Sequence, residues 1–514
     1  MLDIGFVAEP VGFDALVLPV HPGDRQAASD APAVELLPGQ FPVPDDLRAE
    51  ATALLPAVEH SGAAGVAHVS VAPSREPVRL VLVGVGDGDE AGWRAAGAAL
   101  ARSGATERTV AVALPPDAGP AVVRGLAEGL WLASYRFRLP GSDDAAPSGG
   151  RVMLAVAGTE AYVDALRTAR VTAEMTCFAR DLTNMPSSVK SPAWFADQVV
   201  TAADRLIVAH QPGGGPDGES AGGPDGVAGG LTVTVREPAE LAAAGFGGIL
   251  AVGGGSASPP RLVELDWHPE DARTHVVLVG KGITFDTGGL SIKPRDAMKL
   301  MRKDMGGAAA VIAAALGAAA LRLPVRVTAL APLAENMVSG SAFRPGDVIR
   351  HYGGRTSEST NSDAEGRLVL ADALAYAVDR LAPDVLIDLA TLTGANAVAL
   401  GARTGALYSE NHELAESVLG AGAAAGEHAW RMPLPSDYVE YLASEIADLH
   451  SSPAKGAGSV IAALYLREFT GELRDRWLHV DMSAPSWTSK DDAELVKGAT
   501  GWGVRTLLRW LADR

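Results

Sequence analysis

At 514 residues the chain exceeds the size at which one hydrophobic core keeps growing, so two or more domains are expected. Apolar residues make up 47% and charged residues 20%, an ordinary globular balance that excludes a disordered chain. A net charge of -19 repels nucleic acid and anionic membrane surfaces at long range, so a nucleic-acid partner is not expected.

The first segment, MLDIGFVAEPVGFDALVLPV, has early acids, no basic stretch and a central proline, so it does not read as a signal peptide. Short apolar runs follow: ALVLPV at Ala15, RLVLVGVG at Arg79, TVAVAL at Thr109 and RVMLAVAG at Arg151. Separated by helix-like stretches, they predict an α/β domain with a mostly parallel sheet. The glycines of VGVGDGDE, at 84, 86 and 88, miss the spacing of a dinucleotide loop. This N-terminal α/β domain is placed at residues 1–172 and a second α/β domain at 173–514. Cys177 stands alone, which excludes an intramolecular disulfide and a thiolate zinc site.

The second domain carries a Gly/Pro-rich insertion at 211–230, QPGGGPDGESAGGPDGVAGG, expected to be a solvent loop. HVVLVG at His275 is fully apolar and ends in Gly280, as a central parallel strand does. The loop KGITFDTGG follows it, and Asp304 precedes an Ala-rich helix that stops short of the roughly 20 apolar residues of a membrane span. VRVTAL at Val325 and VLIDLA at Val385 read as further strands. Between them Leu370, Leu374, Ala377, Val378 and Leu381 fall at helical spacing, so a helix begins just after Gly366. A soluble, cytoplasmic protein is expected, with charged motifs at strand ends and helix starts, where open α/β sheets bind ligands.

The chain has no HExxH and no P-loop, and none of its 11 histidines pair at metal-ligand spacing. A metal site must then be built from carboxylates. Four acids qualify: Asp286 in KGITFDTGG, Asp304, and Asp363 and Glu365 in NSDAEGRL. Acids at helix starts also cap free amides, and Lys281, Lys293 and Arg367 nearby also suit a plain ion-pair network. The alternative is that divalent cations gather the carboxylates, with a lysine as amine ligand or electrophile.

The stretch from Val276 to Gly307, ENMVSGSAFRPGD at Glu335 and NSDAEGRLVLADAL at Asn361 closely resemble the leucyl aminopeptidase family, the M17 cytosolic aminopeptidases. ARDLTNMPSS at Ala179, LAVGGGS at Leu250 and LATLTGA at Leu389 extend the resemblance over residues 179 to 514; before that only the α/β pattern agrees.

The resemblance implies Lys281, Asp286, Asp304, Asp363 and Glu365 as ligands of two divalent ions, Mn or Zn, with Mg or Co as alternatives. Asp286 and Glu365 would bridge the pair. Lys293 and Arg367 would be catalytic, the arginine holding a bicarbonate ion as proton shuttle beside backbone groups of Ala364, Gly366 and Leu392. Met301, Asn336 and Thr391 would meet the substrate. Also implied are short peptides with leucyl or other neutral bulky N-termini as substrates, and a homohexamer built as a dimer of trimers. Rival expectations are a hexameric DNA-binding or regulatory protein of the same fold and a cysteinyl-glycine-type dipeptidase. The chain departs from the family pattern at Ser362, commonly threonine, at Thr287, commonly serine, and in HSSPAKGAGSVIAALYL at His450, where a Gly-rich run is expected.

Overall fold

Branched apolar runs become the central strands, because such side chains pack well on both faces of a pleated sheet. A computed structural model describes residues 1–9, 11–23, 34–139, 141, 150–209, 230–453 and 456–514. The insertion expected at 211–230 lies outside the described residues, apart from Gly230. The chain divides into two units, Met1–Cys177 with Ser489–Lys497, and Phe178–Thr488 with Gly498–Arg514. The first division, like the one expected after residue 172, falls within the helix Val163–Asn184.

The first unit holds β1 (Asp3–Val7), β2 (Ala15–Pro22), β3 (Val34–Leu36), β4 (Ala67–Val71), β5 (Arg79–Gly84), β6 (Thr109–Ala113) and β7 (Arg151–Ala155). They form one sheet in the order β1-β7-β6-β2-β5-β4, with β3 on β2; all pairings are parallel except β4 with β5 and β3 with β2. Alternate residues face opposite sides. Leu16, Leu18, Leu80 and Leu82 pack with Leu47, Ala51 and Leu55 of α1 (Asp45–Ala57). Val17, Val81, Val110 and Val112 pack with residues of α2 (Glu90–Arg102) and α3 (Pro120–Ala133). In VGVGDGDE the last aspartate, Asp89, caps α2 by accepting the Gly92 amide at 2.8 Å.

The second unit contributes β8 (Gly230–Arg236), β9 (Arg261–His268), β10 (His275–Gly280), β11 (Gly282–Asp286), β12 (Arg326–Asn336), β13 (Asp347–Arg350) and β14 (Thr356–Ser359). Then come β15 (Val385–Ala390), β16 (Gly405–Tyr408), β17 (Ala429–Arg431), β18 (Leu449–His450) and β19 (Trp477–Asp481). The large sheet runs β17-β16-β19-β15-β10-β12-β9-β8, with β11 also on β12. Its centre, β19-β15-β10-β12, is parallel, and antiparallel strands flank it.

KGITFDTGG differs from the expected loop. Its first half is strand β11, because β12 continues past VRVTAL to Asn336 and pairs with it, setting Asp286 opposite Asn336. The Ala-rich helix Gly306–Leu321 is buried on all sides; a side chain at Gly307 would fall 2.2 Å from the Leu389 carbonyl, so only glycine admits so close a crossing. Of the apolar window in Met301–Leu321, 89% is buried in the protein, the mark of a core helix. The helix expected after Gly366 spans Glu365–Tyr376 and continues as a wider turn over Ala377–Leu381. Its Leu370 and Leu374 share a core with Val277, Val279 and Leu386.

Candidate metal centre

The site forms where parallel strands end. Lys281 follows β10, Asp286 ends β11, Asn336 ends β12, Thr391 follows β15 and Asp481 ends β19. Asp304 and Glu365 come in from the starts of the two long helices, Gly306–Leu321 and Glu365–Tyr376. Each side chain therefore hangs on a rigid element at the sheet edge where such folds bind ligands.

Asp286, Asp363 and Glu365 each bring a carboxylate oxygen to within 4.8 Å of the others. Lys281 Nζ joins Asp304 to this group, at 2.8 Å from Asp304 Oδ2 and 2.8 Å from Glu365 Oε1. Lys293 Nζ lies 2.8 Å from Asp286 Oδ2 and 2.5 Å from Asp363 Oδ1. All five expected ligands and the expected catalytic lysine thus meet in one place. Asp304 does not cap the start of the helix Gly306–Leu321, since its Oδ1 accepts from Thr391 Oγ1 at 2.8 Å and from Lys281 at 2.9 Å, and Met305 takes the N-cap position.

Lys281, Asp286, Asp304 and Glu365 are buried, whereas the Asp363 side chain is one-third exposed. Burial, followed by the Glu365 charge, pushes Asp286 up to about 6. Burial raises Asp304 and Glu365 too, against the pull of Lys281. For Lys281 burial opposes the charge, but Asp304 and Glu365 outweigh it and the ammonium is strengthened; Asp286 and Glu365 do the same for Lys293. Three buried oxygens, Asp304 Oδ2, Asp363 Oδ1 and Glu365 Oε2, accept no hydrogen bond among the described residues. Two of these meet only a lysine at ion-pair distance. Buried carboxylate oxygens that have a lysine or nothing as partner, converging with an amine, are a donor set that fits hard divalent cations.

The remaining expected residues lie around this group. Thr391 is buried and tied to Asp304, and its carbonyl accepts from Lys281 at 3.0 Å. Asn336 Nδ2 bonds Asp286 Oδ1 and the Ser362 carbonyl. Met301 opens the short turn leading to Asp304. Arg367 is buried and donates to the Ser451 carbonyl at 2.6 Å, not to Glu365; burial lowers its pKa, and its Nε has no partner among the described residues. Of the backbone groups expected beside it, the Ala364 amide bonds the Asn361 carbonyl and the Leu392 amide bonds Asp481 Oδ1 at 3.1 Å. Gly366 lies in the first helical turn, where amides lack an intrahelical acceptor.

Asp481 is absent from the sequence-based set. Its carboxylate accepts Leu392 N, Thr393 N, Thr393 Oγ1 and Ser483 N, and so fixes the loop that carries Thr391. The only local signal is an acid closing the apolar strand WLHVD.

Residues 177–508 match the catalytic domain of the cytosol aminopeptidase family, and residues 35–139 match its N-terminal domain. The chain belongs to the cytosol aminopeptidase family. A probable cytosol aminopeptidase of Corynebacterium efficiens is 41% identical over 471 residues, covering 90% of this chain and 88% of that protein. Among solved structures, the bottromycin maturation enzyme BotP in complex with Mn aligns at a TM-score of 0.79 and 34% identity, covering 100% of this chain and 99% of that one. A mutant of tomato leucine aminopeptidase aligns at 0.82 and 28% identity, covering 100% and 97%. Family membership makes this an M17 aminopeptidase and agrees with the two-domain α/β architecture expected from the sequence.

Proposed function

We propose that this M17 aminopeptidase is a two-metal leucyl aminopeptidase, releasing leucyl or other neutral bulky residues from the N-termini of short peptides. The observation that carries the reading is the convergence of Asp286, Asp363 and Glu365 within 4.8 Å, with Asp304 joined to them by Lys281. Two divalent cations, Mn or Zn with Mg or Co as alternatives, supply when bound an activated water and a Lewis acid for the peptide carbonyl. In this reading Asp286 and Glu365 would be shared between the two ions, Asp363 would serve one, and Lys281 and Asp304 would serve the other. As a ligand Lys281 would have to be the neutral amine, its proton released to solvent as the cation replaces it between Asp304 and Glu365.

Lys293, on the exposed side of the cluster, is placed to stabilise the developing oxyanion. Arg367, whose Nε has no partner among the described residues, would hold a bicarbonate beside Gly366, Ala364 and Leu392, and that ion would supply a proton shuttle. Met301, Asn336 and Thr391 border the substrate. The enzyme is further proposed to work in the cytoplasm as a homohexamer, a dimer of trimers, which admits only short peptides.

Hydrolysis of leucyl-p-nitroanilide by chelator-treated protein tests the reading. Activity is expected to vanish and to return with Mn or Zn; full activity in metal-free protein overturns it. Protons and cations compete for carboxylates whose pKa values are raised, so the restoring Mn concentration is expected to rise as pH falls through about 6. Cysteinyl-glycine and duplex DNA, assayed alongside, separate the rival activities.

A further inference from the structure

We infer that Ser362 and Ser291 form a clasp that positions Lys293 against Asp286 and Asp363, an inference whose catalytic consequence rests on the two-metal reading above. Ser291 N donates to Ser362 Oγ at 2.7 Å, and Ser362 N donates to Ser291 Oγ at 3.2 Å. Ser362 Oγ also donates to the Gly288 carbonyl at 2.7 Å, so one buried hydroxyl fastens two points of the 288–293 loop to the loop that carries Asp363.

The placement matters because apolar packing does not hold this loop. Along Leu290–Lys293 the side chains alternate: Leu290 and Ile292 are 42% and 63% exposed, while Ser291 bonds Ser362 and Lys293 meets the two aspartates. The remaining backbone ties are polar and run back to the end of β11 and the residue after it: Lys293 N to the Thr287 carbonyl at 2.9 Å, Gly289 N to Thr287 Oγ1 at 3.1 Å and Gly288 N to Asp286 Oδ1 at 2.8 Å. Gly289 has φ +61, and a side chain there would come within 2.9 Å of Asn336 Oδ1 and 3.1 Å of Ser362 Cβ. Glycine at 289 therefore lets the loop backbone close onto Ser362. Removing its hydroxyl strands the Ser291 amide and the Gly288 carbonyl. Asp286, Asp304 and Glu365 stay fixed by β11 and by Lys281, so Lys293 is the group that loses its place.

The experiment uses five Mn-loaded full-length proteins, wild type, Ser362→Ala, Ser362→Thr, Lys293→Ala and the Ser362→Ala/Lys293→Ala double variant, with leucyl-p-nitroanilide kinetics and amide exchange at Ser291. Ser362→Ala is expected to lower kcat by roughly tenfold or more while KM and the Mn concentration for half-activation stay within about twofold. The double variant is expected to match Lys293→Ala, because the clasp acts through that lysine. Ser362→Thr keeps the hydroxyl and restores kcat, and Ser291 exchange quickens only in the alanine variant. Multiplying losses in the double variant, or an unchanged Ser291 exchange rate, overturns the clasp. Should Ser362→Ala prove insoluble, Ser291→Ala, which removes only the acceptor for Ser362 N, must show the same kcat-selective loss to a smaller degree. Wild type inactive on aminoacyl substrates refutes the functional reading, and amide exchange still decides the clasp.

Discussion

Asn336 and Asp286, opposite each other in register at the ends of β12 and β11, are joined by a 2.8 Å hydrogen bond from Asn336 Nδ2 to Asp286 Oδ1. The same nitrogen reaches the Ser362 carbonyl at 3.0 Å, so Asn336 braces a proposed bridging carboxylate against the neighbouring motif. Asn336→Asp keeps the size but swaps the donor for a second acid beside one already raised by burial and by Glu365. Half-activation by Mn is expected to need about tenfold or more metal, the usual scale for lost support of a ligand. A normal Mn titration with a raised KM would instead make Asn336 a substrate contact alone.

Gly366 gives a second prediction. A methyl group there would lie 2.3 Å from Lys281 Cε and 2.7 Å from its Nζ, so Gly366→Ala pushes the lysine off Asp304 and Glu365. The clash is with the far end of a flexible side chain, so the helix is expected to form and Tm to shift little. Activity at limiting Mn is expected to fall by about ten- to a hundredfold and to recover partly at high Mn. Wild-type Mn dependence in this variant would mean that Lys281 tolerates displacement.

Lys293 gives a third. Removing it leaves Asp286 and Asp363 without their nearest cation but leaves Lys281, Asp304 and Glu365 in place. Lys293→Ala is expected to lower kcat by about a hundredfold or more with little change in KM, the pattern of a group acting only on the transition state. An equal loss through KM would assign the lysine to ground-state binding.

The sheet was legible because its central strands are almost wholly apolar: HVVLVG and VLIDLA carry only His275 and Asp388 as polar side chains, and their ends locate the site. The gathering of Lys281, Asp286, Asp304, Asp363 and Glu365 was legible through family resemblance more than through local pattern, since charge and periodicity alone also allowed caps and ion pairs. What stayed hidden depends on which loops meet. Ser291 and Ser362 lie 71 positions apart, and nothing in either segment specifies the other. Asp481 ends a strand with no motif around it, and its grip on the Leu392 amide exists only because β19 lies beside β15. β11 was read as loop because its pairing needs the unforeseen extension of β12.

The last prediction concerns pH and stability away from the candidate metal centre. Thr328 Oγ1 gives its single proton to Asp266 Oδ1 at 2.5 Å, so it accepts from His275 Nε2 at 2.8 Å, and the imidazole is a neutral Nε2–H donor. Burial, then Arg326, pull the His275 pKa down to about 4; Asp266 and Asp384 oppose this, and His268 adds to it. An unfolded histidine takes its proton near pH 6.5, so between that value and about 4 the unfolded chain binds more protons than the folded one. The stabilising contribution is therefore complete above pH 6.5 and is lost as pH falls toward 4. Between pH 7 and 5, Tm of chelated protein is expected to fall less in His275→Gln than in wild type, by about 1 to 3 °C. Working with chelated protein removes the separate pH dependence of metal binding. Parallel Tm curves for the two proteins would mean that His275 titrates alike in the folded and unfolded states.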